Sequence, residues 1–355
     1  MIVTFCLPTQ NYRSPIGGFK MVYEYSNRLV EYGFDVNIVY CTKNTLSKYG
    51  LPYSIRQLLA KGIVSVSPAW FKLDRRVKRI AASSITNEYI PDGDCIFATA
   101  AQTAQSVYKL HKSKGKKYYF IQDYENWLMS EDKLVETYKL GMTNIVVSNW
   151  LYKIVHPYSM DKTILIKNPI DTNKYIIQIP LEARKKFNIG MLYHDAAYKG
   201  CEYALKSIFA IKREFPEVEL YMFGNPKLPK QFRKDWIHYI RHATQEETIS
   251  VYNNCSIFVC ASIEEGFGLT GLESMACGCT FVSSDYQGVR EYAKNNVNAL
   301  LSPVKDMDAM NVNIRRVLQD DKLRRCISEA GKRTAMEFSW EKAIKVLTDA
   351  LGKEC

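Results

Sequence analysis

The sequence predicts an α/β protein built from two Rossmann-like, doubly wound domains that face each other across a cleft. Three observations predict it. At 355 residues the chain exceeds the usual size of one hydrophobic core, so two domains of ordinary size are expected. Short β-branched or aromatic runs alternate with amphipathic stretches. That rhythm argues for parallel strands joined by crossover helices, because a tight turn cannot close a parallel pair. The rhythm is interrupted at Asn168-Pro169-Ile170-Asp171 and then restarts.

In the first domain, residues 1–170, the spacing predicts a strand over Ile2 to Leu7, a helix over Phe19 to Glu31 and a strand over Asp35 to Cys41. Further strands are expected at Cys95 to Thr99, Tyr118 to Gln122 and Asn144 to Ser148. The basic and aromatic run from Trp70 to Arg79 reads as a helix, suited to anionic lipid headgroups, to an anionic acceptor or simply to water. Asp92-Gly93-Asp94 reads as a turn, and His111 to Lys117 as a basic helix end and loop. In the second domain, residues 171–337, strands are expected at Ile189 to Tyr193, Glu219 to Phe223, Ile237 to Arg241, Ser256 to Cys260 and Thr280 to Ser283. Helices fill Lys199 to Phe215, Glu246 to Asn254, Leu269 to Ala276 and Met307 to Gln319. The tail, Ser339 to Leu351, reads as one more amphipathic helix. Open α/β sheets bind ligands at the C-terminal ends of their strands, which places a site in the crevice.

Composition narrows the function classes. A content of 47% hydrophobic and 24% charged residues is that of a soluble globular protein, and no apolar run approaches the roughly 20 residues that span a bilayer. The first residues lack the basic start and longer apolar core of a secretory signal, so a cytoplasmic protein is expected, with a peripheral contact at the inner face of the cell membrane as a further expectation. The ten cysteines form no C-x-x-C pair and read as buried or idle thiols. Of the net charge of +11, residues 1–171 hold 22 Lys and Arg against 14 Asp and Glu, so most of the excess lies in the first half, where an anionic partner is expected. No nucleic-acid module accompanies that charge.

The stretch from Glu264 to Gly278, reading EEGFGLTGLESMACG, carries the chemistry. It follows a strand and opens a helix. Gly266 and Gly268 let the backbone approach a ligand closely, and a helix start adds about half a positive charge, so a phosphate is the natural guest. Glu265 and Glu273 beside a diphosphate make sense if they point past it, accepting bonds from sugar hydroxyls.

This spacing, Glu265 and Glu273 flanking Gly-Phe-Gly with Met-Ala-Cys-Gly after, resembles the signature of family 4 retaining glycosyltransferases with the GT-B fold. Other landmarks fall in register along nearly the whole chain: Gly17-Gly18 as the glycine loop, Asn168 to Tyr175, Lys199-Gly200, Gly288 to Glu291 with Asn298 to Leu301, and Phe338 to Glu341. The resemblance implies transfer of a sugar from a nucleotide diphosphate sugar to a glycan or lipid-linked acceptor, in bacterial surface polysaccharide or glycolipid synthesis. It implies no metal and no cofactor beyond the donor itself. It also implies that residues 338–355 form a helix packing back toward the first domain.

By the same resemblance the donor set is Gly18, Tyr193, Lys199, Gly224, His242, Glu265, Gly266, Phe267, Gly268, Leu269, Thr270 and Glu273. Within it, Glu265 holds the sugar, Glu273 the ribose, and Lys199 with the Phe267 to Thr270 amides the diphosphate. The acceptor set is Gly17, Gly18, Asp123 and Tyr124, and the groups nearest the chemistry are Glu265, Lys199 and Asp123. The run Gln122-Asp123-Tyr124-Glu125 resembles that of relatives transferring deoxysugars such as rhamnose. Tyr193 departs from the pattern, standing where the family often has an arginine, so Arg241, Arg290 or His194 is left to compensate. The alternative expectation is a catalytically degenerate partner subunit that binds a nucleotide sugar or acceptor; an epimerase of the same shape is a third. Tyr239 to Gln245 is expected near the base, which these residues leave open between uridine, thymidine and guanosine.

Overall fold

The computed structural model describes residues 1–159 and 162–352. The chain divides into two units: Met1–Lys167 together with the residues from Ile344 on, and Asn168–Ala343.

The first unit is a seven-stranded parallel sheet. Its elements in chain order are β1 (Ile2–Leu7), α1 (Gly17–Glu31), β2 (Asp35–Cys41), α2 (Tyr53–Ser65), β3 (Lys78–Ala82), β4 (Cys95–Ala98), α3 (Ala101–Tyr108), β5 (Lys116–Ile121), α4 (Glu131–Tyr138), β6 (Thr143–Val146), α5 (Asn149–Ser159) and β7 (Thr163–Leu165). The strand order is β3-β2-β1-β4-β5-β6-β7, with β1 paired to β2 on one side (Val3 with Val36) and to β4 on the other (Val3 with Cys95). The order reverses between β1 and β4. The central strands are buried along almost their whole length, as strands covered on both faces must be.

The second unit repeats the plan with six parallel strands: β8 (Asn188–Tyr193), α6 (Cys201–Glu214), β9 (Glu219–Gly224), β10 (Ile237–Arg241), α7 (Gln245–Asn254), β11 (Ile257–Cys260), α8 (Leu269–Ala276), β12 (Thr280–Ser284), β13 (Leu300–Ser302), α9 (Met307–Gln319) and α10 (Asp321–Ala335). The order β10-β9-β8-β11-β12-β13 reverses between β8 and β11. Its core joins Met191, Leu205, Ile208, Leu220, Val259 and Ile314, all at most 1% exposed. The last helix, α11 (Trp340–Leu351), begins in the second unit and contributes Ile344, Leu347 and Leu351 to the first, where the Tyr118 hydroxyl donates to the Ala350 carbonyl at 3.0 Å.

Three expectations are corrected. The run from Trp70 to Arg79 is not a helix: Trp70 and Phe71 pack on Tyr23 of α1, Asp74 turns the chain by accepting from the Arg76 amide and guanidinium, and Lys78 and Arg79 open the edge strand β3. Its aromatic residues are spent on the core, so it presents no apolar face to lipid. Gly17 and Gly18 are the first two residues of α1, not a separate loop. Lys199 closes a 3-10 turn, Ala197–Lys199, and α6 starts only at Cys201.

The Asp92-Gly93-Asp94 turn is tied to the sheet by its carboxylates. Asp94 Oδ2 accepts from the Ile2 amide at 2.7 Å, and Asp92 Oδ1 accepts from Ser113 Oγ and Lys114 Nζ, each at 2.8 Å. The nine described cysteines are all unpaired, six of them buried.

Candidate active site

In the second unit the strand order reverses between β8 and β11, and the loops leaving those two strands meet. Gly200 makes the meeting possible. It sits at φ +58°, and a Cβ there would lie 1.9 Å from the Ala261 carbonyl oxygen, so only glycine lets the two backbones touch. The Ile263 amide then donates to the Tyr198 carbonyl at 2.8 Å. This contact delivers Lys199 to Glu265, Nζ to Oε1 at 2.7 Å, with the two side chains 15% and 18% exposed. The other carboxylate oxygen, Oε2, accepts from Ser262 Oγ at 3.0 Å. Lys199, Ser262, Glu265 and Thr270 line a small pocket floored by Met191, Phe258 and Val259.

Helix α8 begins beside that pocket. Its capping residue Gly268 lies at φ +88°, where a Cβ would stand 1.9 Å from the Tyr286 hydroxyl. The Tyr292 hydroxyl donates to the Gly268 carbonyl at 2.6 Å and lies 3.4 Å from that of Tyr286. Burial pushes both phenols well above their ordinary pKa, so the backing of the helix start stays neutral. Phe267 is 2% exposed and packs on Tyr292 and Phe338, which anchors the loop. The first amides of any helix have no intrahelical carbonyl to pair with, and those of Leu269 and Thr270 add to the positive end of α8.

Glu273 is not a solvated helix carboxylate. It is 5% exposed, the Tyr252 hydroxyl donates to its Oε2 at 3.0 Å, and it lies behind the residues that line the Lys199–Glu265 pocket rather than among them. Tyr193 and Gly224 end β8 and β9, and His242 follows β10 with φ +58° and its amide donating to the Gly224 carbonyl at 2.8 Å. These three lie along the strand ends on one side of the reversal, outside the pocket.

None of the candidates to replace the family arginine offers a charge committed to the pocket. Burial and the charge of Lys199 push the His194 imidazole below its ordinary pKa, and its Nδ1 accepts from the Ala196 amide at 3.0 Å, so the ring is neutral at pH 7. Arg290 is held by Asp285 through two bonds of 2.8 and 2.9 Å, and Arg241 donates to the Asn225 carbonyl at 3.0 Å.

The remaining candidates lie in the first unit, Gly17 and Gly18 after β1 and Asp123 and Tyr124 after β5. Gln122 Nε2 donates to the Gly18 carbonyl at 3.1 Å. Asp123 forms the turn after β5, its Oδ1 accepting from the Tyr124 amide at 2.9 Å. The Tyr124 hydroxyl donates to Glu131 at 2.6 Å. Beside them Glu125 accepts from the Ala101 amide at 2.5 Å. Burial, aided by the charge of Asp123, raises its pKa to about 7 against the pull of that amide.

Sequence reasoning missed Ser262, Tyr286 and Tyr292 as site-forming residues, and it named Glu125 only as the end of the run from Gln122. A serine three positions before Glu265 was the one local signal; the tyrosines come from a later loop and carry none. Among the described residues no group of three His, Cys, Asp or Glu converges as a cation site.

Residues 173–334 match the family model described as Glycosyl transferases group 1. A stretch of 109 residues is 35% identical to the O-antigen chain mannosyltransferase B of Escherichia coli, covering 31% of this chain and 28% of that one. Another of 102 residues is 30% identical to an N,N'-diacetylbacillosaminyl-diphospho-undecaprenol alpha-1,3-N-acetylgalactosaminyltransferase of Campylobacter jejuni, covering 29% and 27%. The chain thus spans less than a third of the length of these two curated relatives. Whole-chain structural likeness extends to a sucrose-phosphate synthase of Thermosynechococcus elongatus, with TM-score 0.74, 15% identity and 99% and 98% coverage. It extends also to the Anabaena HepE protein solved with UDP and glucose, with TM-score 0.74, 14% identity and 99% coverage of each chain. At such identities the likeness shows the fold, which is GT-B.

Proposed function

With residues 173–334 matching the group 1 glycosyl transferases, within a chain of GT-B fold, as the premise, we propose that the protein is a retaining glycosyltransferase. It moves a sugar from a nucleotide diphosphate sugar to a glycan or lipid-linked acceptor. The observation that carries this reading is the Lys199–Glu265 pair, held at the β8/β11 reversal beside the start of α8. A cation and a helix start converge there on one small pocket, while a carboxylate fixed by Ser262 stands ready for hydroxyl groups.

Departure of the nucleoside diphosphate breaks the sugar C1–O bond and gathers negative charge on the phosphate oxygens. The Lys199 ammonium and the Leu269 and Thr270 amides stabilise that charge without reorganising. Lys199 has three donors, so it can bond the phosphate and Glu265 together. Glu265 orients the sugar, and Glu273 reaches the ribose once its bond with Tyr252 is shared. The acceptor hydroxyl enters on the face the diphosphate leaves, and its proton passes to a phosphate oxygen. Neutralisation by Lys199 and backbone amides makes a divalent metal unnecessary. The UDP bound by the Anabaena HepE protein and the undecaprenyl-linked acceptor of the Campylobacter jejuni relative support a donor of the UDP class and a glycan or polyprenyl-linked acceptor.

The test is a transfer assay with UDP-, TDP- and GDP-sugars, comparing the natural protein with Glu265→Gln. Transfer is expected to fall by at least about 100-fold in the variant, with the product keeping the donor's anomeric configuration and with no loss in EDTA. Near-normal turnover of Glu265→Gln overturns the site. Ligand-induced stabilisation by a nucleoside diphosphate without turnover of any donor favours the degenerate partner subunit.

A further inference from the structure

Helix α2 of the first unit has two apolar faces, and the sheet uses only one. Ala60 and Val64 are buried at 0% and 1% exposure, and Gln57 on the same side is clamped to Thr42 through bonds of 2.7 and 3.1 Å. On the opposite side Ile55, Leu58 and Leu59, with Val66 just past the last turn, fall at i, i+3, i+4 and i+11, with Gly62 at i+7. Leu58 is 71% exposed and Val66 60%. Tyr49 and Leu51 ahead of the helix, and Tyr53 as its first residue, extend the exposed apolar surface. Water gains nothing from such a stripe, and contiguous exposed apolar surface marks a contact.

The charge around it is of one sign. Between Asp35 and Asp74 the chain has no Asp or Glu, while Lys43, Lys48, Arg56, Lys61 and Lys72 fall in that interval. Arg56 and Lys61 flank the stripe on its two sides. Arg56 lies over the Tyr53 ring at 5.5 Å and Lys48 over the Tyr49 ring at 5.2 Å, which places cations and aromatic rings together at its N-terminal end. A second copy of the chain on a two-fold axis would bring this basic surface against itself. Nucleic acid would leave Ile55, Leu58 and Leu59 unpaired.

We propose that the outward face of α2 docks on an anionic bilayer surface, with Ile55, Leu58, Leu59 and Val66 entering the headgroup boundary and the surrounding Lys and Arg bound to acidic headgroups. No helix among the described residues is long and apolar enough to cross a membrane, so the contact is interfacial. This inference does not rest on the transfer reading.

Flotation of the full chain with vesicles tests it, using phosphatidylcholine alone and equal parts phosphatidylcholine and phosphatidylglycerol. Binding is expected to the mixed vesicles, with at least about tenfold weaker binding to phosphatidylcholine alone or at high salt. The exposed double variant Leu58→Ser/Leu59→Ser should lose about tenfold or more, and Lys48→Ala/Lys61→Ala about tenfold. Both should keep the natural melting temperature and its rise with nucleoside diphosphate, so a lost donor site is told apart from a lost membrane contact. The proposal is overturned by absent flotation, by equal binding to both vesicle types, or by variants that bind like the natural chain. It is also overturned if the natural chain sediments as a dimer that Leu58→Ser/Leu59→Ser dissociates.

Discussion

The two units have the same plan, and they treat equivalent helix starts in opposite ways. In each, the strand order reverses beside the first strand, and a helix follows the strand across that reversal: α3 after β4 in the first unit, α8 after β11 in the second. The start of α3 is closed by the protein itself. Glu125 accepts from the Ala101 amide, and Thr103 Oγ1 accepts from the Thr99 and Ala100 amides at 3.1 and 3.2 Å. The start of α8 has a glycine in place of such side chains, and Lys199 beside it. A Rossmann-like unit becomes an anion site only where the positive end of its helix is left to a guest. On the proposed reading the diphosphate therefore falls to the second unit and not to the more basic first one, part of whose charge surrounds α2 instead.

Gly268→Ala gives the largest expected effect. Its Cβ would collide with the Tyr286 hydroxyl at a positive φ, so a loss of about 2–4 kcal/mol on urea unfolding and of all measurable transfer is expected. Gly17→Ala, at the start of α1 with nothing within 4 Å of the added carbon, should change stability by under about 1 kcal/mol. If the two cost the same, the close approach at Gly268 is not what sets the start of α8 apart.

Lys199→Ala should lower kcat/KM by about 100-fold and abolish the thermal stabilisation by nucleoside diphosphate. Glu125→Ala should leave that stabilisation intact, because its carboxylate closes the start of α3 and takes no part in lining the Lys199–Glu265 pocket.

The first unit should also show a pH signature. With its pKa raised to about 7 from an ordinary 4.5, folded Glu125 binds a proton more tightly than the unfolded chain does. Its contribution is fully present below pH 4.5 and is lost as pH rises through 7, a fall of about 1–3 kcal/mol that Glu125→Gln should flatten. Stability measured from pH 4 to 8 on both proteins checks this; parallel curves would place the titration elsewhere. Tyr292→Phe is the mildest change. It removes the bond to the Gly268 carbonyl and should cost about 1 kcal/mol by urea unfolding, with a weaker grip on the donor.

The second unit was the more legible in sequence. Helices α8 and α9 and strand β10 have the bounds the pattern predicts, because each is bracketed by glycine, by a capping Asp or by polar turns. The first unit misled at Trp70 to Arg79, where two aromatics and five cations imitate an amphipathic helix. Long-range packing on Tyr23 decided that segment, and an edge strand can carry lysine and arginine. Strands β7 and β13, three residues each, are too short for periodicity to register. At the site, Glu265, Lys199 and the glycines were legible because close backbone approach restricts residue type. The turning of Glu273 toward Tyr252, and the closure of α3 by Glu125, depend on partners 21 and 24 residues away, which no local pattern encodes.

Helix α11 has a consequence for synthesis on the ribosome. The first unit's sheet is complete by Leu165, yet Ile344, Leu347 and Leu351, which finish its covering, are translated only after the entire second unit. At typical elongation rates the nascent sheet waits roughly ten to forty seconds with that surface bare. A chaperone that shields newly made chains should therefore be needed early, and severing the chain at the 167/168 boundary should yield an N-terminal fragment that aggregates and a C-terminal fragment that carries the missing helix.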